Sequence, residues 1–496
     1  MFAAIGLAAA LAVTPAGMAL VQEAAQTVRP EDASSRNLDA GIQAYDRGDF
    51  VEAVGWFRLA AKNGLALGQN NLGVMYANGQ GVPQNDAEAV RLYRLAADQG
   101  YAQAQYNLGV MYGDGQGVPQ NDAEAVRLYR LAADQGYAQA QYNLGLMYGT
   151  GQGVPQNFAE AVRLYRLAAD QGLAQAQHNL GVMYGDGQGV PQNDAEAVRL
   201  YRLAADQGLA LGQNNLGAAY QYGRGVPQND SEAFRWYRLA ADQSNELAQY
   251  NLGYMYDLGQ GVRQNFAESV RLYRLAADQG LAEAQYNLGF NYANGQGVPQ
   301  NFAEAVRLYR LAADQGLAQA QYNLGFMYRD GLGVPQNDVE AVRLFRLAAD
   351  QNVAAAQNNL GVMYDTGRGV PENDVEAVRW HRLAADQGLA LGQFNLGAMY
   401  DSGRGVPQNY AEAVHWFRLA AEQGLAEAQF NLGNMYANGQ GAPQSYVEAY
   451  KWYNLSAAQG EPAAASQRDR IASRMTPAQI AEGQRLAAEW RPRSPQ

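Results

Sequence analysis

Between Ala102 and Gly136 apolar residues recur at helical spacing twice, on either side of a polar, glycine-rich stretch. In "AQAQYNLGVMYG" the residues Ala104, Leu108 and Met111 fall at i, i+4 and i+7, which predicts a helix (A) with a core-facing stripe. The glycines and Pro119 of "DGQGVPQN" stop that helix and turn the chain. The next run, "NDAEAVRLYRLAADQG", opens on Asn121 with Glu124 three residues later, the pattern of a capping box. Ala125, Leu128, Tyr129 and Ala132 give this second helix (B) its apolar face, and Gly136 stands where a left-handed C-terminal residue is expected.

The pattern repeats. The asparagine of Asn-Leu-Gly falls at Asn71, Asn107, Asn143, Asn179, Asn215, Asn251, Asn287, Asn323, Asn359, Asn395 and Asn431, every interval being 36 residues. A fixed period in this range means stacked supersecondary units, none of which buries its own apolar face alone. The exceptions obey the same local rules. Ser445 replaces the capping asparagine, with Glu448 after it, and Asn352 and Ser244 replace the closing glycine. Arg263 stands in place of the loop proline, and the first repeat has a loop five residues shorter. The chain therefore reads as all-α: a solenoid of about twelve antiparallel helix pairs over residues 37–460. A helical cap over 461–490, opened by Thr476, Pro477 and Gln479, and a tail over 491–496 follow it.

A Gly-x-Gly loop ahead of a helix also suggests a phosphate cradle. That motif, however, appears once, follows a strand and is followed by lysine. Here the loop recurs in repeat after repeat, follows a helix and has no lysine, so its role is structural. The string Leu-Gly-x-Met-Tyr, Gly-x-Gly-Val-Pro, Glu-Ala-Val-x-Leu-Tyr-Arg-Leu-Ala-Ala-x-Gln-Gly resembles the Sel-one-like repeat, a longer-looped relative of the tetratricopeptide repeat, from about Asn37 to Gly460. The resemblance implies a right-handed, tetratricopeptide-like superhelix with a concave groove, used as a protein-interaction scaffold. Exported bacterial proteins of this family end in similar tails, which implies a bacterial envelope location.

Composition narrows the chemistry. The net charge of −12 argues against a nucleic-acid partner. Lys62 and Lys451 are the only lysines and there is no cysteine, which removes thiolate chemistry and nearly all lysine catalysis. His178, His381 and His415 replace a tyrosine, a tyrosine and an arginine of other repeats, without zinc spacing. Glu124 and its equivalents are explained as cap residues, and Arg127 and Arg130 with Glu124 and Asp134 as helix-surface ion pairs. The expectation is a non-enzyme with no catalytic residue, cofactor or metal. Residues 1–20 are apolar and uncharged, as in a signal peptide with small residues around Gly17-Met18-Ala19, although no Lys or Arg precedes the run. A periplasmic or secreted protein follows, or a membrane-anchored one if the segment is retained; residues 21–36 read as a disordered lead-in.

Tyr106, Val110 and Gly113 lie opposite the core stripe of helix A, the face that the resemblance places in the groove. At the Val110 position three central repeats carry Tyr254, Phe290 and Phe326, and at the Tyr106 position Tyr250, Tyr286 and Tyr322. Two readings stand open. The rings fill space between adjacent A helices, or they form a patch that anchors a protein or peptide partner. Asp257, Arg329, Asp330, Asp365 and Asp401 would give that patch a mostly acidic rim, suited to an apolar segment with basic flanks. The function expected is an exported scaffold. The alternatives are an envelope enzyme or cell-wall or penicillin-binding protein, and a host-interaction or signalling regulator.

Overall fold

A computed structural model describes residues 33–493, and the candidate signal peptide lies outside them. Among the described residues there are 26 helices and no strand. The first helix, α1 (Ala33–Asp46), takes in residues 33–36, which the sequence places in a disordered lead-in; that reading is corrected there. The chain divides into two compact units, one up to Ala248 with Gln260–Arg263, the other Gln249–Gly259 with the residues from Gln264 on.

In the first unit the repeating pair is seen in α5 (Ala102–Asp114) and α6 (Asp122–Asp134), preceded by α3 (Ala66–Asn78) and α4 (Asp86–Asp98) and followed by α7 (Ala138–Thr150) and α8 (Phe158–Asp170). Asn121 Oδ1 accepts the backbone N–H of Glu124 at 3.1 Å, so the cap forms as expected. Only half of the capping box forms. Glu124 turns instead to Arg127, at 2.7 and 2.9 Å, and the Asn121 N–H donates to the Tyr112 carbonyl at 2.8 Å. Arg130 likewise departs from its expected ion pair with Asp134: its Nη2 donates to the Tyr148 hydroxyl of the next A helix at 2.8 Å.

The core is continuous from repeat to repeat. Val110 from α5, Tyr129 and Ala132 from α6, Leu144 and Met147 from α7 and Leu164 from α8 form one buried cluster. The glycine of Asn-Leu-Gly exists for this packing. A Cβ on Gly109 would stand 2.7 Å from the Tyr129 ring, so only glycine lets the B-helix tyrosine lie flat on helix A. A glutamine ladder stitches successive pairs: Gln105 Nε2 donates to the Ala97 carbonyl at 3.3 Å, and Gln135 Nε2 to Gln105 Oε1 at 2.8 Å.

The second unit repeats this construction, for example in α13 (Glu246–Leu258, of which it holds the residues from Gln249 on), α14 (Phe266–Asp278), α15 (Ala282–Asn294), α16 (Phe302–Asp314), α17 (Ala318–Asp330) and α18 (Asp338–Asp350). It ends with α24 (Tyr446–Ala458), capped by Ser445, then α25 (Pro462–Ala472) and α26 (Pro477–Glu489). Thr476 and Gln479 form a full capping box on α26. Beyond it Trp490 packs edge-on against Trp452, and Arg493 bonds Glu422 at 2.8 Å.

Candidate partner-binding face

The six aromatics of the second unit separate into two rows. Tyr250, Tyr286 and Tyr322 are half-buried, each tilted against the ring of its own B helix: Tyr273 at 5.7 Å, Tyr309 at 5.8 Å and Phe345 at 5.9 Å. This position also belongs to a ladder between repeats. The asparagine of Asn-Leu-Gly reaches back to it, from Asn107 to Asn70 at 3.0 Å in the first unit and from Asn395 to Asn358 at 2.9 Å in the second. Tyr286 bonds Asn323 in the same way, and burial raises its phenol above the ordinary value. For the Tyr106 position, then, ring packing and the asparagine ladder both take part.

The second row is different. Tyr254, Phe290 and Phe326 are 36%, 43% and 36% exposed. At the same position of the first unit Val74, Val110 and Val182 are buried. Ring size is not the cause, for Val362 at the same position of the second unit is 37% exposed as well. Phe326 is half covered by Arg329, whose guanidinium lies 4.3 Å from the ring centroid.

The acidic rim is largely neutralised from within. Arg329 pairs with Asp330 at 2.7 Å, and Asp365 with Arg404 at 2.9 Å. Burial raises the carboxyls of Asp257 and Asp401 above the usual aspartate value. The histidines serve packing. His178 is buried with Asn179 and Asn215 each 3.0 Å from its ring nitrogens, and burial lowers its pKa. His381 is buried beside Asn358 at 3.1 Å and is pushed down to about 4 by burial. His415 stacks edge-on against Trp416. Among the described residues no group of His, Cys, Asp or Glu has the arrangement of a metal site, and no helix is long and apolar enough to cross a membrane.

A tandem array of helix pairs with a fixed period defines a helical repeat protein. The chain belongs to the Sel1 repeat family, whose model matches twelve consecutive segments from 39–65 and 66–101 through to 426–461. It is similar to the crystal structure of a protective antigen of uropathogenic Escherichia coli with an SLR fold. The identity there is 36%, over 88% of this chain and 94% of that one, with a TM-score of 0.78. A Sel1 repeat protein from Oxalobacter formigenes is 33% identical over 67% of this chain and 94% of that one, with a TM-score of 0.49. No curated protein matches. A Sel1 solenoid is a fold generally used for protein–protein interaction.

Proposed function

We propose that this chain is an exported, non-enzymatic scaffold that holds a protein or peptide partner on the A-helix face of α13, α15 and α17. The observation that carries the reading is the exposed row of Tyr254, Phe290 and Phe326. Rings at a spacing of one per repeat offer anchors to an extended or helical segment, and anchors of this kind dominate binding energy. Export is supported by the apolar first segment and by the likeness to a bacterial protective antigen. The histidines and clustered carboxylates already have packing, capping or ion-pair partners, which supports a scaffold over an envelope enzyme. A host-interaction role would differ only in the partner.

A crosslinking pull-down from the source organism tests this, with the mature N-terminus sequenced from the same sample. The comparison chain carries Tyr254→Ala, Phe290→Ala and Phe326→Ala, all on exposed positions. Partners captured by the native chain and lost from the variant, at unchanged helicity, are the expected result. Identical captures would move the binding surface off this face, and an uncleaved first segment would remove the exported reading.

A further inference from the structure

The C-terminal segment of the chain is itself seated on the end of a B helix. Helix α22 (Tyr410–Glu422) closes on Glu422, with Gly424 two residues on. After α26 the backbone is extended, with a ψ of 142° at Trp490, and Pro492 biases Arg491 away from the helical region. The segment crosses the end of α22. There the Arg493 N–H donates to the Glu422 carbonyl at 2.8 Å, and its guanidinium to the Glu422 carboxylate at 2.8 Å. Trp490 stands edge-on to Trp452 of α24, ring centroids 6.5 Å apart, and joins the apolar cluster that holds it. A Cβ on Gly424 would lie 3.8 Å from both Pro492 Cβ and Trp490 Cη2. Aromatic, proline and arginine thus meet one seat, built of an acid, a glycine two residues later and a tryptophan on the next B helix.

The same seat recurs twice at whole multiples of the repeat. Asp386, Gly388 and Trp416 make it at the end of α20 (Asp374–Asp386) in the second unit. Asp206, Gly208 and Trp236 make it at the end of α10 (Asp194–Asp206) in the first. Elsewhere one part is missing: Asp134 and Gly136 have Leu164 in place of the tryptophan, and Asp350 has Asn352 in place of the glycine. Both recurring seats are open. Nothing stands within 4 Å of a Cβ on Gly208 or Gly388. Asp206 and Asp386 are exposed, whereas Glu422 under the tail is half-buried. Leu239 of the first seat is 40% exposed, whereas Leu455, in the same place of the filled seat, belongs with Trp490 to the buried cluster.

We infer that the seats at Gly208 and Gly388 are a second interaction surface, which takes an extended segment of a partner protein carrying an aromatic residue, a proline two positions later and an arginine after that. The tail is this segment bound in cis. In trans the arginine pairs with Asp206 or Asp386 while its N–H bonds the carbonyl of the same residue. The aromatic ring covers the leucine and tryptophan beside it, the part that carries most of the contact energy. Proline keeps the segment extended before it binds, so little order is lost on docking. The net charge of −12 favours a basic segment.

The test uses the full chain and a synthetic peptide of residues 487–496 with a photoreactive phenylalanine analogue in place of Trp490. Irradiation and peptide mapping should place adducts around Gly208 and Gly388, at concentrations below about 1 mM. The chain carrying both Asp206→Arg and Asp386→Arg, two exposed positions, should lose these adducts at least about fivefold. A peptide with Arg493→Glu should lose them on the native chain and regain them on that variant, which a merely structural effect of the substitutions would not produce. Adducts confined to the region of Gly424 would mean that the peptide only exchanges with the tail of another copy, and would overturn the inference. So would adducts spread evenly over seats that have leucine in place of tryptophan, adducts indifferent to both charge reversals, or none.

Discussion

Gly117 is the second glycine of its loop, and replacing it with alanine isolates what the loop does. Its φ is +67°, in the left-handed region, where an alanine side chain loses about 1–2 kcal/mol. The new Cβ would also lie 2.5 Å from both the carbonyl carbon and the oxygen of Asp86, and 2.8 Å from the Ala87 nitrogen. All three are backbone atoms at the start of α4, in the preceding repeat, so no rotamer change relieves them. Parting two repeats to make room is overpacking, worth about 1–3 kcal/mol more. Gly117→Ala should therefore cost about 2–5 kcal/mol in all. Gly136→Ala is the matched control, because φ is +87° there and nothing stands within 4 Å of the added carbon; it should cost about 1–2 kcal/mol. In an array held by nearest-neighbour terms the larger loss falls on one joint, and unfolding there should separate from the rest. Guanidinium denaturation followed by circular dichroism gives the free energies, and hydrogen exchange in α4 and α5 locates them. If Gly117→Ala costs no more than Gly136→Ala, the loop does not dock on the neighbouring helix and its recurrence needs another cause.

The remaining predictions use the same logic. His381 is held at about 4, below its unfolded value of about 6.5, so the unfolded chain binds more protons between these pH values. Stability should then fall by up to about 3 kcal/mol as pH drops through that window and stay level above it. His381→Phe, the residue found at Phe345 and Phe417, should shrink this slope in denaturation at stepped pH, with His178 still contributing. Ser244 has a φ of +65°, so Ser244→Gly should raise the denaturation midpoint by the equivalent of about 1 kcal/mol. Arg127→Ala removes an exposed pair with Glu124 and should cost only about 0.2–0.5 kcal/mol, again by denaturant midpoint.

What was legible in the sequence is what local chemistry decides. Asn121 caps its helix because the acceptor and the N–H it satisfies are three residues apart, and Asn352 at a φ of +66° marks a helix end for an equally local reason. Partners that lie a helix away were hidden. Arg130 is close in sequence to Asp134 but chooses Tyr148, and Glu124 leaves its cap for Arg127. The Gln135–Gln105 ladder joins residues of two repeats that no periodicity pairs. Aromatic spacing alone placed all six rings on one face. Only packing separates Tyr250, Tyr286 and Tyr322, leaning on B-helix rings, from Tyr254, Phe290 and Phe326, open to solvent.

The central claim is that the exposed aromatic row holds the partner, and site-specific photocrosslinking tests it most directly. A photoreactive phenylalanine analogue placed at Phe290 in the native host should yield a discrete protein adduct on irradiation. The same group at Leu131, an exposed residue of helix B, should yield none. Adducts from Leu131 and not from Phe290 would contradict the account and move recognition to the B-helix face.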